Sequence, residues 1–306
     1  TEVMRIDDSE SSLNVTGGGG LKILGALHSS AISFSGADGT VDGLIFAQSG
    51  SIGFLDAGSS FMIECDNDDS IKFSVTDSQK MKLDANSRIS LSNNDTGTSN
   101  TIFGKTAGDS DGAGDYNVFI GELSGGTGTQ TDDADYNIGI GYSSLTDLTN
   151  GESNVAIGGH ALENNTSGGA NVAIGSWDSS TYQAPLTTNT VGSFNIAIGS
   201  GALRLANEND NDGSIGIGYG ALNNQAGTGG ARFATATIGI GYQSQLSLTT
   251  GAKNLAIGHQ SGYYNQTGSD NTYLGHWAGS GTSGSHSNNV GIGSSALGVV
   301  STGSSN

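Results

Sequence analysis

Apolar positions in this chain recur in a five-residue phrase, Asn-x-x-Ile-Gly. It stands as Asn154-Val155-Ala156-Ile157-Gly158, then from Asn171 to Gly175, then from Asn195 to Gly199. Further copies run from Asn117 to Gly121, Asn137 to Gly141, Asn254 to Gly258, Asn271 to Gly275 and Asn289 to Gly293. Looser copies begin at Asn100, at Ser214 (closing on Gly218) and at Thr237 (closing on Gly241). Steps between successive copies are 17, 20, 17, 17, 24, 19, 23, 17, 17 and 18 residues. A short unit repeated at this period is the signature of a solenoid. The base unit is 17 residues, and the longer steps are insertions into it.

Counting the Asn as position zero, positions +1 and +3 are apolar, as in Val155 and Ile157 or Ile215 and Ile217. Position +2 is mostly Ala or Gly, as in Gly139, Ala156, Ala173 and Gly239, with Ile102, Phe119 and Tyr273 as bulky exceptions near the two ends of the array. Alternate residues of a strand face opposite sides. This predicts a β-branched core stripe at +1 and +3 and a nearly bald face at +2, where another backbone comes close. Position +4 is Gly in every copy, which predicts a corner with positive φ. A second motif follows three residues later, as Ala161-Leu162, Ala202-Leu203, Ala221-Leu222 and Ala296-Leu297. Two strands of about five residues and two Gly-bearing turns then make one coil of a flattened β-roll. At about 4.8 Å per coil, eleven copies predict a rod of about 50 Å. So thin a core is hard to stabilise alone. The +2 face is therefore expected to pack against its equivalents in a parallel homotrimer, with a dimer or a lone solenoid as the structural alternative.

Residues 1–99 show instead short alternating runs: Val3–Ile6, Leu21–Leu24, Ala31–Phe34, Leu44–Phe46, Phe61–Glu64, Ile71–Val75, Lys80–Leu83 and Arg88–Leu91. Runs of period two between Gly, Ser, Asn and Asp read as short strands. The predicted organisation is an all-β chain: a short-strand β region at 1–99, a parallel β-solenoid at 100–297 and a polar tail at 298–306.

Composition narrows function. Gly supplies 52 residues and Pro one, which fits neither collagen nor a proline-rich linker, and the regular Ile, Val and Leu positions argue against disorder. A formal net charge of −19 disfavours nucleic-acid phosphates and anionic membranes as partners. Cys65 is the only cysteine, so no intrachain disulfide is available. There is no apolar run long enough to span a membrane and no signal peptide at Thr1. The chain reads as a fragment or processed product.

Asn-Val-Ala-Ile-Gly followed by Ala-Leu resembles repeats in the tail fibres of tailed bacteriophages, and is similar to head repeats of trimeric autotransporter adhesins. Glu2-Val3-Met4-Arg5-Ile6-Asp7 resembles the stretch upstream of such repeats in phage fibres. The resemblance implies a fibrous homotrimer of β-roll coils on a virion tail, joined to other tail proteins, that attaches to a host glycan or protein receptor. The 17-residue period and the lack of a visible coiled-coil stalk favour the phage fibre over a bacterial surface adhesin. The rival from another class is a purely structural spacer.

Candidate chemistry is sparse. Glu208, Asp210 and Asp212 alternate before Gly213 as calcium ligands do, but position twelve of that loop is Tyr219 rather than an acid. The five His residues lack metal-ligand spacing, and the acids fall in turns with no pocket implied. The expectation is a non-enzymatic protein without a required cofactor. Insertions on a rigid scaffold commonly carry binding. They hold Trp177, Tyr182, Arg204, Arg232 and Phe233, and Tyr263, Tyr264 and Trp277 follow near the far end. Aromatics with a polar handle suit glycan or protein surfaces, which makes these eight the candidate receptor contacts.

Overall fold

The computed structural model describes 30–35, 41–48, 51–56, 61–66, 70–75, 78–83 and 89–91 in the first part of the chain. In the second it describes 99–108, 114–126, 128–131, 133–177, 183–206, 212–225, 236–282, 284–300 and 304–305. Two compact units are separated between Ser92 and Asn93. Among the described residues there is no helix, and so none long and apolar enough to cross a membrane.

The first unit is one antiparallel sheet in chain order: β1 (Ser30–Ser35), β2 (Val41–Gln48), β3 (Ser51–Asp56), β4 (Phe61–Asp66), β5 (Ser70–Val75), β6 (Ser78–Leu83) and β7 (Ile89–Leu91). Six of these coincide with the alternating runs. β3 was not foreseen, because Gly53 interrupts its apolar pattern. The runs Val3–Ile6 and Leu21–Leu24 lie outside the described residues. Ile45, Phe54, Ile63, Phe73 and Met81 are register partners across β2 to β6. They form an apolar row on which Phe54 and Phe73 are exposed.

The second unit is the solenoid. Eleven three-residue strands, β8 (Thr101–Phe103), β9 (Val118–Ile120), β10 (Ile138–Ile140), β11 (Val155–Ile157), β12 (Val172–Ile174), β13 (Ile196–Ile198), β14 (Ile215–Ile217), β15 (Ile238–Ile240), β16 (Leu255–Ile257), β17 (Thr272–Leu274) and β18 (Val290–Ile292), stack in order as one parallel sheet. Register is residue for residue: Val155 meets Val172, Ala156 meets Ala173 and Ile157 meets Ile174.

Two expectations are corrected here. Each coil contributes one strand, not two. The Ala-Leu side of the coil is a run of turns, because Leu145, Leu162, Leu203 and Leu222 adopt left-handed φ of 49–53°. Coils still bond to one another there, as in Leu145 N–H to the Ala161 carbonyl at 3.2 Å. The faces of the strand are also reversed. Ala156, Ala173, Ala197 and Ala256 at +2 are wholly buried, while +1 and +3 are half exposed in most coils. The interior is only one side chain thick. A Cβ on Gly239 would stand 2.9 Å from Leu222 Cγ, so the leucine of the turn side already occupies the space a β-branched +2 residue would need. The +2 row thus cannot meet a sister chain.

The bulky exceptions obey the same volume rule. Phe119 and Tyr273 are buried inside the coil, and Gly replaces the turn-side Leu six residues on in each case. A Cβ on Gly125 would lie 2.6 Å from the Phe119 ring, and one on Gly108 would lie 2.8 Å from Ile102 Cδ1.

Position zero is a buried amide ladder. Asn154 Oδ1 accepts from Asn171 N–H at 3.0 Å and from Asn171 Nδ2 at 3.1 Å, while Asn154 Nδ2 donates to the Gly168 carbonyl at 2.8 Å. The pattern recurs from Asn254 to Asn271 and Asn289. These bonds satisfy amides that the thin core shuts away from water. The corner Gly121 has φ of +130°, and a Cβ there would stand 2.6 Å from the Gly141 carbonyl oxygen of the next coil. Side chains are excluded by that close stacking.

Candidate interaction surfaces

The outward face of the solenoid sheet carries the +1 and +3 residues. Twenty of these 22 positions are apolar, Thr101 and Thr272 are the exceptions, and none is charged. At the array ends Phe103, Leu274, Val290 and Ile292 are exposed. The strip is about 48 Å long at 4.8 Å per strand and about 10 Å wide, on the order of 500 Å². That is the size of the largest patch on a typical soluble monomer, here on a strongly acidic chain.

A second feature follows the corner. Position +5 holds Tyr219, Tyr242, His259 and His276 in four consecutive coils. Their rings stack with centroids 5.5, 5.1 and 5.2 Å apart, and Trp277 tilts against His276 at 5.9 Å. The repeat spacing puts equal positions in register, so this stack was legible in the sequence but was not foreseen. Further along the roll, His160 lies edge-on to Tyr142 and Trp177, and its Nδ1 stands 3.0 Å from Glu163 Oε2.

The structure separates the eight candidate receptor residues. Trp177 is exposed at the start of the longest insertion. Tyr182, Arg232 and Phe233 lie outside the described residues. Arg204 is half buried and donates to Gln183 Oε1 at 3.2 Å. Much of the first insertion belongs to the coil: Pro185 and Leu186 replace Ala-Leu and are buried, and Leu162 N–H donates to the Pro185 carbonyl at 3.3 Å. The expected loop is thereby shortened, because residues 184–189 take their place in the coil.

Tyr263, Tyr264 and Trp277 do come together. With Gln260 and Ser280 they line a groove of about 110 Å³ between the coils of β16 and β17, on the turn side. Tyr263 and Tyr264 meet edge to face at 4.6 Å. Tyr264 N–H donates to the Ser280 carbonyl at 3.2 Å, and Gln260 Nε2 donates to Gln243 Oε1 at 2.9 Å. A shallower, polar cleft of about 420 Å³ is lined by Asp133, Asn150, Glu152, Ser167 and Ser193 among others.

Of the calcium candidates, Glu208 and Asp210 lie outside the described residues. Asp212 Oδ1 accepts from Ser193 N–H at 2.7 Å, capping the preceding coil. Among the described residues no three acid, His or Cys side chains gather as a metal site. One ionisable pair went unforeseen: Tyr273 Oη lies 3.0 Å from His286 Nδ1, both buried. Burial pushes the phenol up to about 12 and holds the imidazole below its ordinary 6.5.

Comparison with protein-family models, curated proteins and solved structures finds no match.

Proposed function

We propose that this chain is a segment of an adhesive fibre, most closely of the phage tail-fibre kind, that assembles as a homotrimer and attaches to a cell surface. The observation that carries it is the outward Ile/Val strip. Twenty apolar side chains run the length of a roll whose chain bears −19, and the charged residues all stand elsewhere. Like-charged copies can approach only where charge is absent, and this strip is such a place. Its flat register of identical rungs suits an equally flat copy of itself. The apolar row Ile45-Phe54-Ile63-Phe73-Met81 in the first unit is likewise a sheet face with no second layer among the described residues, and a single-layer sheet must bury its face against something. The trimer thus uses the +1/+3 face in place of the +2 face.

Sedimentation equilibrium tests the assembly. The expected mass is three times 30.7 kDa. Ile174→Lys with Ile198→Lys, which places two charges on neighbouring rungs of each chain's strip, gives monomers or aggregates with the coil intact by circular dichroism. A wild-type monomer overturns the proposal. Attachment is tested by retention of labelled protein on bacterial cells. A spacer without adhesive function would show none on any strain, and the aromatic groove favours the adhesive reading over the spacer.

A further inference from the structure

We propose that the groove formed by Tyr263, Tyr264, Trp277, Gln260 and Ser280 is a binding site for one ring of an uncharged saccharide. As the receptor chemistry of the fibre, this rests on the attachment reading above; as a binding property of the coil it is measured separately.

The repeat supplies internal controls. Position +6 is Trp277 here, Trp177 in the coil of β12 and His160 in that of β11, but Gly201, Gly220, Gln243, Gln260 and Ser295 in other coils. Position +9 is Tyr263 here and Ser280 in the next coil, and position +10 is Tyr264 here and Ser247 in the preceding one. The fold is thus built without aromatics at any of the three places. Trp277 holds the left-handed φ (57°) that the coil imposes at this position whatever the residue, as at Gln243, Gln260 and Ser295, so its backbone conformation asks for no particular side chain. Three rings at fold-neutral positions converge on one groove. Tyr264 and Trp277 nonetheless stay 43% and 42% exposed, so they are not there to fill the core.

The groove's size and chemistry select the occupant. Its 110 Å³ holds about four waters at roughly 30 Å³ each, comparable to one pyranose ring and far below the usual pocket for a larger organic ligand. Aromatic walls suit the C–H faces of a sugar. The Gln260 side-chain amide and the Ser280 hydroxyl supply hydrogen-bonding groups for its hydroxyls. No charged side chain lines the groove, so neither an anionic nor a cationic ligand finds a counter-charge. The acidity of the whole chain works further against acidic sugars. The groove also lies on the turn side of the coil, away from the outward sheet face, and stays open when copies pack there.

Tryptophan fluorescence of the intact protein is titrated with the methyl glycosides of glucose, galactose, mannose and N-acetylglucosamine, with glucuronic acid as the charged control. Trp177→Phe leaves Trp277 as the only reporter. The expected result is a saturable change with at least one neutral glycoside and none with glucuronic acid. Tyr264→Ser and Trp277→Gln use residues the other coils carry at those positions, so both are expected to fold. Tyr264→Ser is expected to weaken binding by roughly tenfold or more; loss of one stacked ring is worth about that much. Because Trp277→Gln removes the reporter, its binding is read by saturation-transfer NMR. No saturable binding to any neutral glycoside overturns the proposal, as does tighter binding of glucuronic acid or unchanged affinity in both groove variants. If cells still retain the Tyr264→Ser trimer as they retain the wild type, the attachment reading survives and the groove is not its receptor site. If wild type binds a glycoside but no cells, the groove stands and the attachment reading falls.

Discussion

His286 stands where other coils carry a small residue, Gly151, Gly168 or Gly251, three places before the Asn. It is buried against Tyr273, with Nε2 unpartnered. An unfolded chain protonates this imidazole near 6.5, whereas the folded chain does so only at lower pH. Below about 6.5 the unfolded state therefore binds more protons, and stability falls as the pH falls through that window. Tyr273 acts at the other end. Unfolded it ionises near 10, folded near 12, so stability falls as the pH rises past 10. Thermal melts across pH are expected to show both limbs. His286→Gln should flatten the acid limb relative to wild type and leave the alkaline one. Equal acid slopes in the two proteins would show that carboxylates elsewhere in the chain dominate the acid response.

At the scale of the element, the coil is governed by exchange of volume between its strand and its turn. Phe119 with Gly125 and Ala156 with Leu162 are two solutions for one interior. Phe119→Ala empties part of that interior and is expected to cost about 3–5 kcal/mol. Gly125→Leu alone overpacks it, because a Cβ there already meets the ring at 2.6 Å. The double change recreates the arrangement of the neighbouring coils, whose Leu145 and Leu162 hold the same left-handed φ. It is expected to recover at least half of the Phe119→Ala loss in a double-mutant cycle; additive losses would refute the exchange. This rule explains what could be read in the sequence. The register, the corner glycines and the one-coil period were legible because each is a repeated single-residue demand. The direction of the faces was not, because alternation says that +2 opposes +1 and +3 without saying which side is inside. Hydrophobicity pointed the wrong way, since interior room, not apolarity, decides. The missing second strand had the same origin, because Ala-Leu carries no mark of left-handed φ. The groove was legible in part: Tyr263, Tyr264 and Trp277 were marked as a cluster, but the partners Gln260 and Ser280 emerge only from the stacking of adjacent coils.

At the scale of the whole molecule, a solenoid's stability is a sum over units and their contacts with neighbours. Deleting residues 155–171 removes one full 17-residue coil and joins Asn154 to Val172. The Asn of one coil then takes the place of the next, and the outgoing strand meets β10 in the register that β11 held. The Asn ladder closes again, since each rung uses the same bonds. The deleted chain is expected to fold with a sheet of ten strands and a stability loss of about 1–3 kcal/mol, the share of 17 residues in an ordinary domain. Deleting 155–163 instead removes β11 and joins Asn154 to Asn164 at the end of the turn side, displaces every later residue by half a coil and should abolish cooperative unfolding. Urea melts of the two distinguish them, and equal damage would mean that the coils are not interchangeable units. The full-coil deletion also bears on assembly. Every copy loses the same outward rung, Val155 with Ile157, so strips on partner chains shorten together and stay in register. The sedimenting mass should fall only by the residues removed and keep its multiple of the chain, whereas the half-coil deletion should lose it.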